Sequence, residues 1–103
     1  MALMQITVIP MGTAKPGVGE YIADIERFLG QAGVDHSLHD MGTVIHGKSE
    51  KLLALAHQIH QLPFSRGAER VVTQITLDER LDKDPGIGEK VLSVIKQAGG
   101  PQR

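Results

Sequence analysis

Five side chains of this sequence are the candidates for chemistry: Thr13, Tyr21, Thr43, His46 and Arg70. Two aliphatic hydroxyls, a phenol, an imidazole and a guanidinium form a set suited to orienting a small polar ring by hydrogen bonds. None stands beside a base at a spacing that would make it a nucleophile, so the set reads as ligand-binding and catalytic residues are not expected. Each also has an ordinary structural use. Thr13 follows Gly12 in a turn, where a hydroxyl bonds nearby backbone. Tyr21 falls on a helix stripe, His46 on an apolar strand and Arg70 at a strand end.

Other patterns that could do chemistry fall short of it. His57 and His60 are neighbours three apart on a helix, but no third ligand follows at a recognised spacing and there is no His-Glu-x-x-His. The acidic run Asp78, Glu79, Asp82, Asp84 is broken by Arg80 and Lys83 and lacks the glycine and glutamate of a calcium loop. Gly17-Val18-Gly19 precedes a helix, yet Ile22 stands where a dinucleotide fingerprint has its third glycine. No metal and no cofactor is therefore expected. The absence of cysteine excludes disulfides and thiolate chemistry and fits a reducing compartment. A net charge of −1 gives no electrostatic footprint for nucleic acid or an anionic membrane. One tyrosine and two phenylalanines are too few for a base-stacking platform. No stretch reaches the roughly 20 apolar residues of a membrane span, and Met1 to Pro10 lacks a basic n-region. A cytoplasmic location is expected.

At 103 residues the chain makes one domain, 1–103. Period-two patterning predicts strands over Leu3–Met11, Val34–Asp40, Thr43–Gly47 and Glu69–Asp78. Helical periodicity predicts Val18–Ala32, stopped by Gly33; Glu50–Leu62, capped by Ser49 and ended by Pro63; and Ile87–Ala98. Met41-Gly42 reads as the turn of a tight hairpin. The order β-α-β-β-α-β-α is the split βαβ pattern. It predicts an α+β, ferredoxin-like domain: a four-stranded antiparallel sheet with both main helices on one face, plus an extra C-terminal helix.

In the expected spatial order (fourth, first, third, second) the first and third strands are central and are taken as parallel. Their C-terminal ends then lie together, joined by the start of the fourth strand. That arrangement gathers Gly12-Thr13, His46-Gly47 and Arg70 to Thr73 beneath Tyr21. The two Met-Gly-Thr triplets, at residues 11–13 and 41–43, then fall at opposite ends of the sheet. The uncovered sheet face carries Leu3, Gln5, Thr7, Ile9, Val72, Gln74 and Thr76. Such a face suits packing against a second copy, or a half-exposed antiparallel surface.

Five segments fall in register with a known pattern: Thr7-Val8-Ile9-Pro10-Met11-Gly12-Thr13, Tyr21-Ile22-Ala23, Met41-Gly42-Thr43-Val44-Ile45-His46-Gly47, Arg70-Val71-Val72-Thr73 through Asp78-Glu79-Arg80, and Lys90-Val91. Together they resemble the small thiamine-binding protein family (YkoF-like) over nearly the whole chain. The resemblance implies a ferredoxin-like fold, a homodimer through sheet faces and a homotetramer built from two such dimers. It implies non-catalytic binding of thiamine or its hydroxymethylpyrimidine moiety, with Thr13, Tyr21, Thr43, His46 and Arg70 as the orienting groups. The family pattern has Glu-Gly where this chain has His46-Gly47, and often a serine near Gly19. A neutral imidazole accepts one hydrogen bond, whereas a protonated one repels a thiazolium cation, so the substitution points toward a neutral or anionic relative of thiamine or toward weak binding of it. Two alternatives stand beside this reading: an assembly or regulatory domain without a ligand, and a small-molecule enzyme.

Overall fold

The computed structural model describes residues 1–12 and 18–99. Thr13 therefore lies outside the described residues. The elements are β1 (Ala2–Met11), α1 (Gly19–Ala32), β2 (Asp35–His39), β3 (Gly42–Gly47), α2 (Ser49–Ser65), β4 (Arg70–Glu79) and α3 (Glu89–Gln97). The predicted order holds, with no boundary shifted by more than three residues. Gly33 closes α1 in the left-handed conformation, φ 69°, as expected of a glycine cap. Ser49 is the first helical residue of α2; Lys48 occupies the cap position and makes no side-chain cap. Pro63, expected to end that helix, sits inside it. Its ring is fully buried, and that burial offsets the hydrogen bond its missing N–H gives up. Its carbonyl then accepts from the N–H groups of Arg66 and Ala68 and closes the helix end.

The sheet order is β2-β3-β1-β4, and every neighbouring pair is antiparallel. This corrects the expected parallel run of β1 and β3. The reason is a count of reversals: the crossover through α1 returns β2 in the direction of β1, and the hairpin then turns β3 back. β3 therefore starts where β1 is ending its pairing, with Thr43 opposite Ile6 and Gly47 opposite Ala2.

Alternation decides the core. Ala2, Met4 and Ile6 on β1 share a face with Ile45 on β3, and all are buried. Ile25 and Leu29 of α1 and Leu52, Ala56 and Ile59 of α2 pack on that face and form one cluster with them. The opposite face carries Leu3, Gln5, Thr7, Ile9, Val44, Val72 and Gln74, all partly or largely exposed. No helix is long and apolar enough to cross a membrane among the described residues.

β4 and α3 depart from compactness. From Gln74 onward every residue of β4 is exposed, and α3 buries none of its residues. Lys90, on the first turn of α3, pairs with Asp78 of β4. The radius of gyration is 15.3 Å, against about 13 Å for a compact chain of this length.

Candidate functional site

β1 outruns its neighbour. Ile6 is the last β1 residue paired with β3, while pairing with β4 continues to Met11 opposite Arg70. Beyond Ile6 the hairpin turns away, and a notch opens beside Thr7 to Met11. A cavity of about 240 Å³ occupies it. Its walls are Ile6 and Val8 of β1, Ile22 and Ile25 of α1, and Leu38 of β2, with Thr7, His39, Asp40 and Thr43 as polar lining. The α1 wall follows from helical periodicity, since Val18, Ile22 and Ile25 fall on one stripe.

The backbone adds donors and acceptors to this apolar space. A Cβ built on Gly42 would lie 2.9 Å from the Ile6 carbonyl oxygen, so Ile6 points its peptide groups toward β3. In an antiparallel strand successive residues point to alternate sides, so Val8 and Pro10 point the same way, into the notch. Proline at position 10 agrees with this, because it has no N–H and tolerates a side without a ladder. Val8 is left with an N–H and a C=O that have no strand partner among the described residues. Thr7 fixes the hairpin end by donating its hydroxyl to the Met41 carbonyl at 2.8 Å.

Gly42 is required at this junction. Its φ is 157°, and a Cβ there would meet the Thr7 hydroxyl at 2.6 Å as well as the Ile6 carbonyl. The Met41-Gly42-Thr43 triplet thus lies at the notch, on the same side of the sheet's midpoint as the end of β1. Its expected separation from Met11-Gly12 followed from the reversed strand direction.

Of the five expected site residues, the structure brings one to the cavity. Thr43 lines it and is 4% exposed. Tyr21 does not line it; its phenol lies near Arg66, whose guanidinium is held charged chiefly by its hydrogen bonds to Asp24. Arg70 is exposed at the start of β4 opposite Met11, clear of the lining. His46 sits at the other end of β3 opposite Leu3. Its Nε2 lies 2.8 Å from Asp84 Oδ1 and its Nδ1 4.0 Å from Asp35. The His46 contact holds the Asp84 carboxyl below its ordinary range. His46 therefore ties the segment after β4 across the sheet end, and it lines a separate hollow of about 470 Å³ with Lys48 and Lys51.

The residues missed by the sequence reading are Val8, Ile22, Leu38, His39 and Asp40. The signal for them was the direction of β3: antiparallel pairing places the Leu38-to-Thr43 turn beside the middle of β1. Behind the α1 wall, Arg66 at the end of α2 grips Asp24 through Nε and through Nη2 at 3.0 Å and reaches Glu20 at 3.4 Å. The Arg66 guanidinium, with Arg27 behind it, lowers the Asp24 carboxyl to about 2. Among the described residues no three His, Asp or Glu side chains are placed to hold a metal ion.

Comparison with known proteins places this geometry among relatives. A family model described as thiamine-binding protein matches residues 4–95. A Staphylococcus xylosus protein of the UPF0045 group is 40% identical over 100 residues, covering 93% of this chain and 94% of its own. YqgV of Bacillus subtilis, in the same group, is 37% identical over 93% of this chain and 96% of its own. Among solved structures, a hypothetical protein of Methanocaldococcus jannaschii superposes with a TM-score of 0.79 at 24% identity, over 90% of this chain and 94% of its own. A Thermotoga maritima protein provisionally assigned to thiamine biosynthesis or salvage has a TM-score of 0.74 at 19% identity, over 90% of this chain and 97% of its own. These last two likenesses show a shared fold.

Proposed function

Because the chain belongs to the thiamine-binding protein family, we propose that the notch beside β1 binds thiamine or its hydroxymethylpyrimidine moiety and releases it unchanged. One observation carries this reading: the free peptide edge of Val8 borders an apolar cavity sized for one substituted ring. An aminopyrimidine presents a ring nitrogen that accepts a hydrogen bond next to an amino group that donates one. Val8 offers the complementary N–H and C=O side by side. Ile22, Ile25 and Leu38 supply apolar walls, and Thr43 adds a hydroxyl. Ligand pockets commonly run from roughly 300 Å³ upward, so this one suits a single ring better than a nucleotide.

Asp40 stands on the lining at the hairpin turn and gives a carboxylate that a thiazolium would favour. This supports thiamine as well as its neutral half, and it takes the electrostatic role that the sequence reading had located at position 46. Of the lining hydroxyls, that of Thr7 is committed to the Met41 carbonyl, which favours binding over turnover. The mixed apolar and amide face of the sheet supports the further proposal that the working form is an assembly of identical copies.

Calorimetric titration with thiamine and with hydroxymethylpyrimidine tests the reading. Binding of either is expected, and silence with both at millimolar ligand overturns it. Val8→Pro removes the notch N–H without touching the β1–β4 ladder, and is expected to weaken binding tenfold or more, about 1.4 kcal/mol. Ile22→Trp fills the cavity from α1 and is expected to abolish binding while the fold is retained by circular dichroism.

A further inference from the structure

With no cysteine in the chain, its sulfur chemistry rests on four methionines. The fold treats them differently. Met4 is fully buried in the core, and Met1 and Met11 are 52% and 40% exposed. Met41 is 80% exposed, the most open of the four, and it is the one that lines the cavity beside β1. Its backbone is held while its side chain is free. The Thr7 hydroxyl donates to the Met41 carbonyl at 2.8 Å, and the next residue, Gly42, is pressed against Thr7 and Ile6 with no room for a Cβ. Met41 is therefore an unbranched thioether on a fixed stem at the mouth of the notch.

We infer that Met41 is a redox-sensitive gate of the notch: its thioether folds over a bound ring, and oxidation to the sulfoxide opens the notch and lowers affinity. The inference rests on the reading of the notch as a ring-binding site and adds to it a modification site and a means of regulation. A methionine side chain turns about three bonds, and its sulfur makes favourable contact with aromatic rings. The other apolar walls, Val8, Ile22, Ile25 and Leu38, are aliphatic and carry no sulfur. Met41 is thus the lining residue that can both close on a ring and respond to an oxidant.

The co-reactant is hydrogen peroxide. A lone pair on Sδ attacks one peroxide oxygen, so an S–O bond forms as the O–O bond breaks. The departing hydroxide then takes the proton from the transferred oxygen and leaves as water. Sulfur is oxidised by two electrons and the peroxide is reduced by two. The product turns a flexible apolar side chain into a polar one. Its oxygen is better placed in water than against a ring and aliphatic walls, so the side chain swings outward. Met4, at 0% exposure, is shielded from the same reagent, so the core survives conditions that modify Met41. Sulfoxide reductases reverse the change, which makes the gate a switch.

Treatment of the full chain with hydrogen peroxide, followed by peptide mass mapping, is expected to show Met41 gaining oxygen ahead of Met11, and Met4 last. After the peroxide is removed, calorimetric titration with thiamine and with hydroxymethylpyrimidine is expected to show affinity weakened at least about threefold, the loss of one sulfur–ring contact. Treatment with methionine sulfoxide reductases should restore it. Met41→Leu has no sulfur at the mouth, and its affinity, whatever its starting value, should be the same before and after peroxide. A Met1→Leu, Met11→Leu double variant should lose affinity on oxidation as the unaltered chain does. Oxidation of Met11 ahead of Met41, undiminished binding by the oxidised chain, or an equal loss in Met41→Leu would overturn the gate and leave the notch reading standing. Silence toward both ligands before any oxidation would overturn the notch reading, and the gate with it.

Discussion

Gly42 and Gly30 show how one added methyl is judged by its surroundings. At Gly42 a Cβ would collide with the Thr7 hydroxyl and the Ile6 carbonyl, and the backbone cannot yield without moving the hairpin. Gly42→Ala is expected to cost about 1–3 kcal/mol, as overpacking does, and to reduce ligand binding because the notch wall shifts. Gly30 is helical with nothing within 4 Å of its virtual Cβ. Gly30→Ala is expected to stabilise by up to about 1 kcal/mol. Thermal denaturation of the two variants should show opposite signs. Asp24 gives a third residue-scale test. Its carboxyl falls from 3.8 to about 2 in the folded chain, chiefly through Arg66. A depressed carboxyl stabilises the fold above its unfolded value and ceases to do so as pH drops through the folded value. Stability should therefore decline between about pH 4 and pH 2, and Asp24→Asn should flatten that part of the acid limb.

The elements explain what could and could not be foreseen. Strand and helix identities were legible because Met4, Ile6 and Val8 alternate and Ile22, Ile25 and Leu29 recur at helical spacing. Thr43 was legible as a candidate orienting hydroxyl at the start of a strand, and its burial came only with the structure. Tyr21, His46 and Arg70 were recognised as polar residues of plausible type, but their meeting point depended on the relative direction of β1 and β3. Side-chain pattern is blind to direction, since alternation reads the same both ways; only counting the crossover and the hairpin supplies it. The early close of the β2–β3 ladder was likewise hidden, because Met41-Gly42 marks a turn without saying which β1 residue it stops beside. The clamp from α2 to α1 was invisible for a related reason: Arg66 and Asp24 are 42 residues apart. Arg66→Ala should release the first turns of α1 and speed amide exchange at Ile22 and Ile25. Ligand affinity should fall with it, since those residues wall the cavity.

At the scale of the molecule, the exposed half of β4 and the unburied α3 leave surface that the proposed assembly of copies would cover. A chain whose apolar surface is completed by another copy is stabilised by mass action. Its unfolding temperature should rise by several degrees over a hundredfold increase in protein concentration, whereas that of a self-sufficient monomer would not change. Scanning calorimetry over that concentration range decides between them.

The cavity beside β1 owes its existence to a mismatch of two strand lengths rather than to any sculpted set of side chains. Its depth is thus counted in residues of hairpin. Splicing two residues into each arm of that hairpin would let it zip onward along Val8 and Pro10 and plug the space while leaving the α1 wall unaltered. Within such a scaffold, insertion is a coarser and quicker route to new selectivity than point replacement.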